Sequence, residues 1–145
     1  MTTPTHAITI RQPWLWAIMH GGKFIENRTW ATSYRGPIYL HAAQNLADAS
    51  ATAKFSALLR AHDMNPPDFD SLPRGALLAT ARLVDVVRNG DSVWADLDCY
   101  HFVLADVVVL DEPIVTRGAL GLWPVRGRQR SERLAAPGKH SGSCG

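Results

Sequence analysis

Residues 7–30 read AITIRQPWLWAIMHGGKFIENRTW, and they predict a strand, a short helix and a second strand in direct succession. The alternating β-branched residues of segment 6–10 are typical of a strand. Pro13 is tolerated in a first helical turn and the glycine pair 21–22 suits a helix C-cap, so a helix of about two turns fits between them. The segment 23–30 is then expected to be extended again.

Downstream of this stretch, the pattern predicts one long helix and further strands. YRGP is typical of a turn and IYLHAA of a third strand. Residues 45–62 have helical apolar spacing, with Asn45 as the expected N-cap. Two long strand-like runs follow, GALLATARLVDVVR and YHFVLADVVVL, separated by an aspartate-rich segment, and TRGALGLWPV comes last. Several short strands with irregular spacing favour a small closed or nearly closed barrel over a parallel sheet.

The chain of 145 residues, 46% of them hydrophobic, is expected to form one domain with a sizeable core. That domain is predicted to span residues 1–125. The remaining residues, 126–145, lack apolar periodicity, and they are interpreted as a basic, disordered tail.

The net charge of +2 is unevenly distributed. Residues 126–145 contain five basic residues and one acidic residue, hence +4, which leaves −2 for residues 1–125. The segment 1–35 is nevertheless locally basic, because its only acidic residue is Glu26 and its basic residues are Arg11, Lys23, Arg28 and Arg35. Such a segment is typical of a phosphate-facing surface, although ordinary solvated charge gives the same pattern.

Several classes of protein are disfavoured by the composition. No signal segment is recognised and no apolar run approaches the roughly 20 residues of a membrane helix, so a cytoplasmic protein without membrane contact is expected. Cys99 and Cys144 are too few and too separated for a disulfide framework or a thiolate metal site. No phosphate-cradling glycine loop, nucleophile elbow or zinc-ligand spacing is present.

The run KFIENRTW contains more polar chemistry than a short strand needs. Extended geometry places one alternating set on the same side of a strand, namely Phe24, Glu26, Arg28 and Trp30. On an exposed face this set would form a weak ion pair between packed rings. Beneath the preceding helix it would form a pocket that stacks a base, accepts a hydrogen bond from its edge and contacts phosphate. The sequence alone does not decide which of these two faces the set occupies.

The helix preceding this run adds polar groups to the same neighbourhood. Lys23 lies at the predicted junction between the helix and the next strand. Three interpretations of this lysine are open: it binds phosphate, it acts as a base if it is desolvated, or it is a flexible surface side chain. Gln12 and Trp14 contribute an amide, an indole and the free N–H groups of a helix start. The spacing of Trp14 also suits the core. His41 and His101 lack partners at metal-ligand spacing, so both are interpreted as hydrogen-bonded core or rim histidines.

These motifs together resemble the ASCH domain family. The resemblance extends over residues 6–125 and rests on QPW followed by GGK-x-x-E-N-R-x-W, then YRGPIYLHAA, LPRGALLATARLVDVV, YHFVLADVVVL and TRGALGLWPV. It implies an α+β, PUA-like fold in which helices flank one opening of a small β-barrel. It also implies a cleft at that opening, associated with RNA or modified nucleotides.

The resemblance implies more than one activity. Some members look like RNA- or DNA-binding modules, and some bacterial members resemble magnesium-assisted nucleases acting on single-stranded RNA. Another branch removes the acyl group from acetylated cytidine with a lysine, a threonine three residues later and a glutamate. Lys23 matches that lysine, but Glu26 occupies the threonine's position and Thr29 lies six residues after the lysine. The acylated-cytidine chemistry is therefore disfavoured, while hydrolysis using Lys23 and Glu26 stays open.

The residues and the resemblance predict a cleft that accepts a nucleotide, most simply within single-stranded RNA. Its aromatic walls are Trp14 and Trp30, and its base-reading side chains are Glu26 and Asn27. The predicted phosphate contacts are Arg11, Lys23, Arg28 and Arg35. The remaining predicted nucleic-acid contacts are Gln12, Tyr100 and His101.

The alternative prediction is an enzyme. It would be a ribonuclease assisted by Mg²⁺, or a modified-nucleoside hydrolase, with Lys23 and Glu26 as the acid–base pair. Asp85, in the LVDVV strand, is the candidate for a further catalytic carboxylate. No dedicated metal site and no other cofactor is predicted, and no protein partner is specified.

Overall fold

The computed structural model describes residues 3–126, which form one sheet of six strands, two α-helices and a short 3₁₀ turn. The strands are β1 (His6–Ile10), β2 (Ile25–Arg28), β3 (Gly36–Ala42), β4 (Ala76–Val87), β5 (Tyr100–Val115) and β6 (Leu122–Pro124). The helices are α1 (Trp14–His20) and α2 (Ala49–Ala61), and the turn is Phe69–Ser71. The tail predicted at 126–145 lies outside the described residues, apart from Arg126.

The sheet curls into a half-barrel. Its strand order is β2-β5-β4-β3-β1-β6, in which β1 and β3 are parallel and every other neighbouring pair is antiparallel. Three register shifts interrupt the long β4–β5 ladder, and irregularities of this kind bend and twist a strand pair. Although β2 is an edge strand four places from β1, the guanidinium of Arg28 donates to the backbone carbonyl of Thr9 in β1. The predicted small α+β barrel with flanking helices is confirmed.

Local signals placed most elements correctly. Strand β1 covers the predicted residues 6–10, and α1 lies between Pro13 and Gly21 as expected. The N-cap of α2 was predicted wrongly as Asn45. Asp48 caps the helix instead, because its carboxylate accepts a hydrogen bond of 2.8 Å from the amide of Ala51.

The main core lies between the inner face of the curled sheet and the two helices. Its large buried side chains come from at least five elements and include Ile10, Leu15, Leu40, Phe55 and Phe102. A second, smaller cluster contains Tyr39, Leu77 and Trp123. Among residues 3–126, no helix is long and apolar enough to cross a membrane.

His41 is a buried histidine of the sheet, as predicted. Its Nδ1 lies 3.2 Å from the hydroxyl of Thr9, and its Nε2 lies 2.8 Å from the carbonyl oxygen of Thr116. The same Thr9 hydroxyl accepts a hydrogen bond from the indole of Trp123. The interpretation as a hydrogen-bonded core residue is confirmed.

Candidate nucleic-acid site

Three charged side chains from the segment after α1 are buried together, and they are called here the buried ionic cluster. Lys23, Glu26 and Arg28 are 0%, 1% and 2% exposed. The Nζ of Lys23 lies 3.0 Å from Oε1 of Glu26, and Nη2 of Arg28 lies 3.0 Å from Oε2 of the same carboxylate. Two alternatives, a flexible surface lysine and a weak exposed ion pair, are therefore wrong. All three ions have left water, which is costly unless each is well compensated.

The fold holds the cluster through backbone carbonyls and an aromatic ring. Gly22 has φ +75°, a conformation that favours glycine, and the chain there turns from α1 into the extended segment. The Lys23 ammonium donates to the carbonyl of Ile25 and lies 5.8 Å from the ring centre of Trp14. Arg28 reaches Thr9, which lies beyond the last β1 residue paired with β6.

The buried ionic cluster, and Arg11 directly after β1, retain polar atoms without a hydrogen-bond partner in the described part of the chain. These atoms are the Nε of Arg28, the Nε of Arg11 and Oε2 of Glu26. The last atom is close to Arg28, but the geometry of that contact is too poor for a hydrogen bond. Most buried polar groups in native proteins are hydrogen-bonded, so unpaired groups require an explanation.

Strand pairing separates the predicted site residues into two faces. Glu26 pairs with Phe102 and Arg28 with Tyr100, whereas Asn27 pairs with His101. Because side chains alternate along a strand, Glu26 and Asn27 lie on opposite faces of β2. The predicted same-side set also loses Phe24, which precedes β2 and is 54% exposed.

Asn27 and His101 hold the segment 88–99 against the strands. The amide of Asn27 donates to the carbonyl of Trp94 at 2.9 Å and accepts from the backbone N–H of Asp96 at 3.1 Å. The Nδ1 of His101 accepts from the N–H of Gly90, so Nε2 is the protonated nitrogen that donates to the Asp96 carbonyl. His101 is thus the hydrogen-bonded rim histidine that was predicted, and direct contact of either side chain with RNA stays a prediction.

Gln12 is likewise occupied by contacts within the protein. Its amide nitrogen donates to the carbonyl of Pro73 at 3.0 Å, and its amide oxygen accepts from the backbone N–H of Trp16 at 2.9 Å. It is 1% exposed. Gln12 therefore joins the start of α1 to the loop before β4, and its predicted RNA contact stays a prediction.

The two predicted aromatic walls differ in accessibility. Trp14 is 5% exposed and packs edge-on against Phe55, with ring centres 5.5 Å apart, so it belongs to the core. Trp30 is half-buried, and its ring centre lies 5.0 Å from that of Phe102. Of these two tryptophans, only Trp30 therefore presents accessible ring surface.

Half-exposed Tyr100 carries a cation that sequence reasoning missed. The guanidinium of Arg88 lies over its ring, 4.6 Å from the centre. Arg88 directly follows β4, and the pairing of Val87 with His101 brings it beside the start of β5. Only this long-range register reveals the contact.

Arg35 and Asp85 lie apart from the buried ionic cluster. The Arg35 guanidinium donates to the carbonyls of Thr32 and Tyr34, and it lies 3.6 Å from the Asp85 carboxylate. Both side chains are substantially exposed. Asp85 thus gives Glu26 no second buried carboxylate.

The cluster does not fit a magnesium site. Mg²⁺ is usually held by one or two carboxylates together with substrate phosphates. The only carboxylate of the cluster, Glu26, has a cationic side chain 3.0 Å from each oxygen. Among residues 3–126 there is also no group of three or more His, Cys, Asp or Glu side chains placed to hold a metal.

Comparison with known proteins gives one family and two mammalian relatives. The ASCH domain model matches residues 8–127. Activating signal cointegrator 1 of Homo sapiens is 31% identical over 88 residues, which is 57% of this chain and 14% of that protein. The Mus musculus protein of the same name gives the same identity and coverage. The match thus spans about one seventh of each relative's length.

Proposed function

The chain belongs to the ASCH domain family, and we propose that it binds RNA, accepting one nucleotide of a single strand beside the buried ionic cluster. Members of this family are generally RNA-binding. The locally basic N-terminal segment supports an anionic partner. The matched region covers about one seventh of the length of each relative, so nothing beyond this domain's binding is proposed.

One observation carries the proposal: the cluster buries charges whose hydrogen-bonding capacity the protein leaves unused. Two arginine Nε groups and one carboxylate oxygen have no hydrogen-bond partner in the described chain. Burying unpaired polar groups destabilises a fold. If the cluster had only a structural role, its polar atoms would be expected to be fully hydrogen-bonded or to be replaced by apolar side chains. A ligand that offers both a donor and an acceptor completes the cluster.

The roles follow from the chemistry of each group. Glu26 Oε2 accepts from an amino group of the base, and Arg28 Nε donates to a neighbouring ring nitrogen or carbonyl. Lys23 holds the other carboxylate oxygen in place. Half-exposed Trp30 and Tyr100 supply ring surface, and Arg11 contacts phosphate. Arg35 contacts the strand further along.

Arg11→Ala tests this site without removing a member of the buried ionic cluster. We expect about tenfold weaker binding to fluorescently labelled single-stranded RNA, because a charged hydrogen bond contributes roughly 1.5 kcal/mol. Fluorescence anisotropy at fixed salt measures it. The matched control is Arg82→Ala, which removes an exposed arginine paired with Asp106. Equal losses in both variants would mean that general charge, rather than this site, binds the RNA.

A hydrolase is the second candidate, because one contact resembles an acid–base pair. The Nζ of Lys23 and Oε1 of Glu26 lie 3.0 Å apart, and both side chains are buried. Labelled single-stranded RNA incubated with the protein, with and without added Mg²⁺, distinguishes the candidates. New fragments that disappear in Lys23→Met would establish the hydrolase, whereas intact bound RNA agrees with the proposed binding.

A further inference from the structure

We propose that a cavity between α2 and the segment 88–99 accepts the base of a second, neighbouring nucleotide of the same RNA strand. This inference rests on the proposed RNA binding. The cavity has a volume of about 180 Å³. Its lining includes Leu58, Leu59, His62, Met64, Val93 and Trp94.

The lining suits an uncharged flat ring. Apolar side chains dominate it, and Trp94 supplies an aromatic wall. No Asp, Glu, Lys or Arg lines the cavity, so an ion that entered would lose hydration without a compensating charge. The volume is well below the roughly 300–1,000 Å³ of pockets for drug-sized ligands, and so suits a single base. Bases of single strands commonly stack on aromatic side chains.

Two tryptophan rings lie between the cavity and the buried ionic cluster. Trp94 packs edge-on against Trp14, with ring centres 6.4 Å apart. The ring centre of Trp14 in turn lies 5.8 Å from the Lys23 ammonium. Asn27, the neighbour of Glu26, holds the Trp94 carbonyl. In the proposed arrangement, neighbouring nucleotides of one strand lie on either side of this aromatic wall.

The charges around the cavity favour entry of the base rather than the phosphate. Helices α1 and α2 end at Gly21 and His62, which both line the cavity, and their last turns contain His20 and Arg60. These basic side chains suit a linking phosphate outside.

The test compares trinucleotides that differ only in their bases. The probes are triadenylate and two analogues in which one terminal nucleotide is abasic but keeps its phosphate. We expect calorimetry to give about tenfold weaker binding for one abasic analogue, because the stacked base is lost while the charge is unchanged. Equal affinities for all three probes in the wild-type protein would overturn the inference.

Two variants of the segment 88–99 provide the protein controls. Val93→Glu puts a carboxylate at the cavity, whereas Leu97→Glu makes the same charge change outside it. These side chains are 58% and 91% exposed, so both variants are expected to fold. The preference for triadenylate should disappear in Val93→Glu and persist in Leu97→Glu. If the preference for triadenylate persists in both variants, the cavity assignment is overturned. If none of the three probes binds the folded wild-type protein, the proposed RNA binding itself is contradicted.

Discussion

At the scale of single residues, Glu26 decides the electrostatics of the candidate site. It is the one anion between two buried cations, and each of its oxygens lies 3.0 Å from a basic nitrogen. The compensation is incomplete, because Oε2 lacks a well-directed hydrogen bond. The contact between Glu26 Oε2 and Arg28 is therefore an ion pair without a well-directed hydrogen bond.

Glu26→Gln is expected to destabilise the protein by about 3 kcal/mol or more, because two buried cations lose their counter-charge. Urea denaturation measures the change in unfolding free energy. Adding Lys23→Met to the Glu26→Gln variant should recover part of the loss, since one uncompensated ion is then replaced by an apolar side chain.

The matched control removes an ion pair that water already surrounds. Asp106→Asn breaks the half-exposed pair with Arg82 and is expected to change stability by less than about 1 kcal/mol. A Glu26→Gln variant as stable as Asp106→Asn would contradict the picture of a dehydrated, interdependent cluster.

At the scale of elements, strand β2 has two faces with different contacts. Its inner face presents Glu26 and Arg28, and its outer face presents Asn27 to the segment 88–99. That segment is an irregular connection between β4 and β5, and Asp96 is its main anchor. The backbone of Asp96 bonds to Asn27 and His101, and its carboxylate pairs with Lys54 of α2. Strand β2 has only four residues, yet it positions both the buried ionic cluster and the segment 88–99.

Asn27→Ala is expected to loosen the segment 88–99 selectively. It leaves the Asp96 N–H and the Trp94 carbonyl without their partner, at a cost of about 1–3 kcal/mol. Hydrogen exchange should accelerate at the Asp96 amide and stay unchanged at the buried ladder between β1 and β3. Asn45→Ala, an exposed asparagine, is the control and should change neither rate. Uniform acceleration across the sheet would mean that Asn27 supports the whole fold.

At the scale of the whole molecule, charge is separated along the chain. Residues 1–35 contain four basic residues against one acidic residue, whereas residues 61–112 contain ten acidic residues against three basic ones. The curled sheet brings Arg28 of the basic segment beside β1, close in sequence to Arg11. The proposed RNA partner is therefore expected to be attracted to the basic residues of the segment 1–35.

Binding of single-stranded RNA should weaken as salt rises and should survive deletion of residues 127–145. If three phosphates are neutralised, the slope of log K against log salt is roughly −2, from about 0.7 per phosphate for single strands. Anisotropy titrations of the full chain and the truncated chain measure both slopes. A slope near zero contradicts phosphate contact, and loss of binding on truncation assigns it to the tail.

The sequence by itself determined the features that depend on neighbouring residues. Pro13 and the glycine pair fix the ends of α1, and alternation identifies β1, because these signals act within a few residues. The polar run 23–30 was recognised as the candidate site for the same reason. The N-cap of α2 was predicted as Asn45, whereas Asp48 caps the helix in the structure. The prediction failed because more than one residue suited to an N-cap lies near the start of this helix.

Only the tertiary structure decided what that polar run does. Lys23 is buried because α1, β2 and the curled sheet enclose it, although a lysine after two glycines is equally compatible with a surface position. Asn27 contacts the segment 88–99, and Arg88 covers Tyr100, because β2 and β4 pair with β5 in one register. Register is set by contacts between residues about 75 positions apart, as for Asn27 and His101, and a one-residue slip reverses every face. Local pattern thus specifies which residues form a strand, and long-range pairing specifies which of them a ligand can meet.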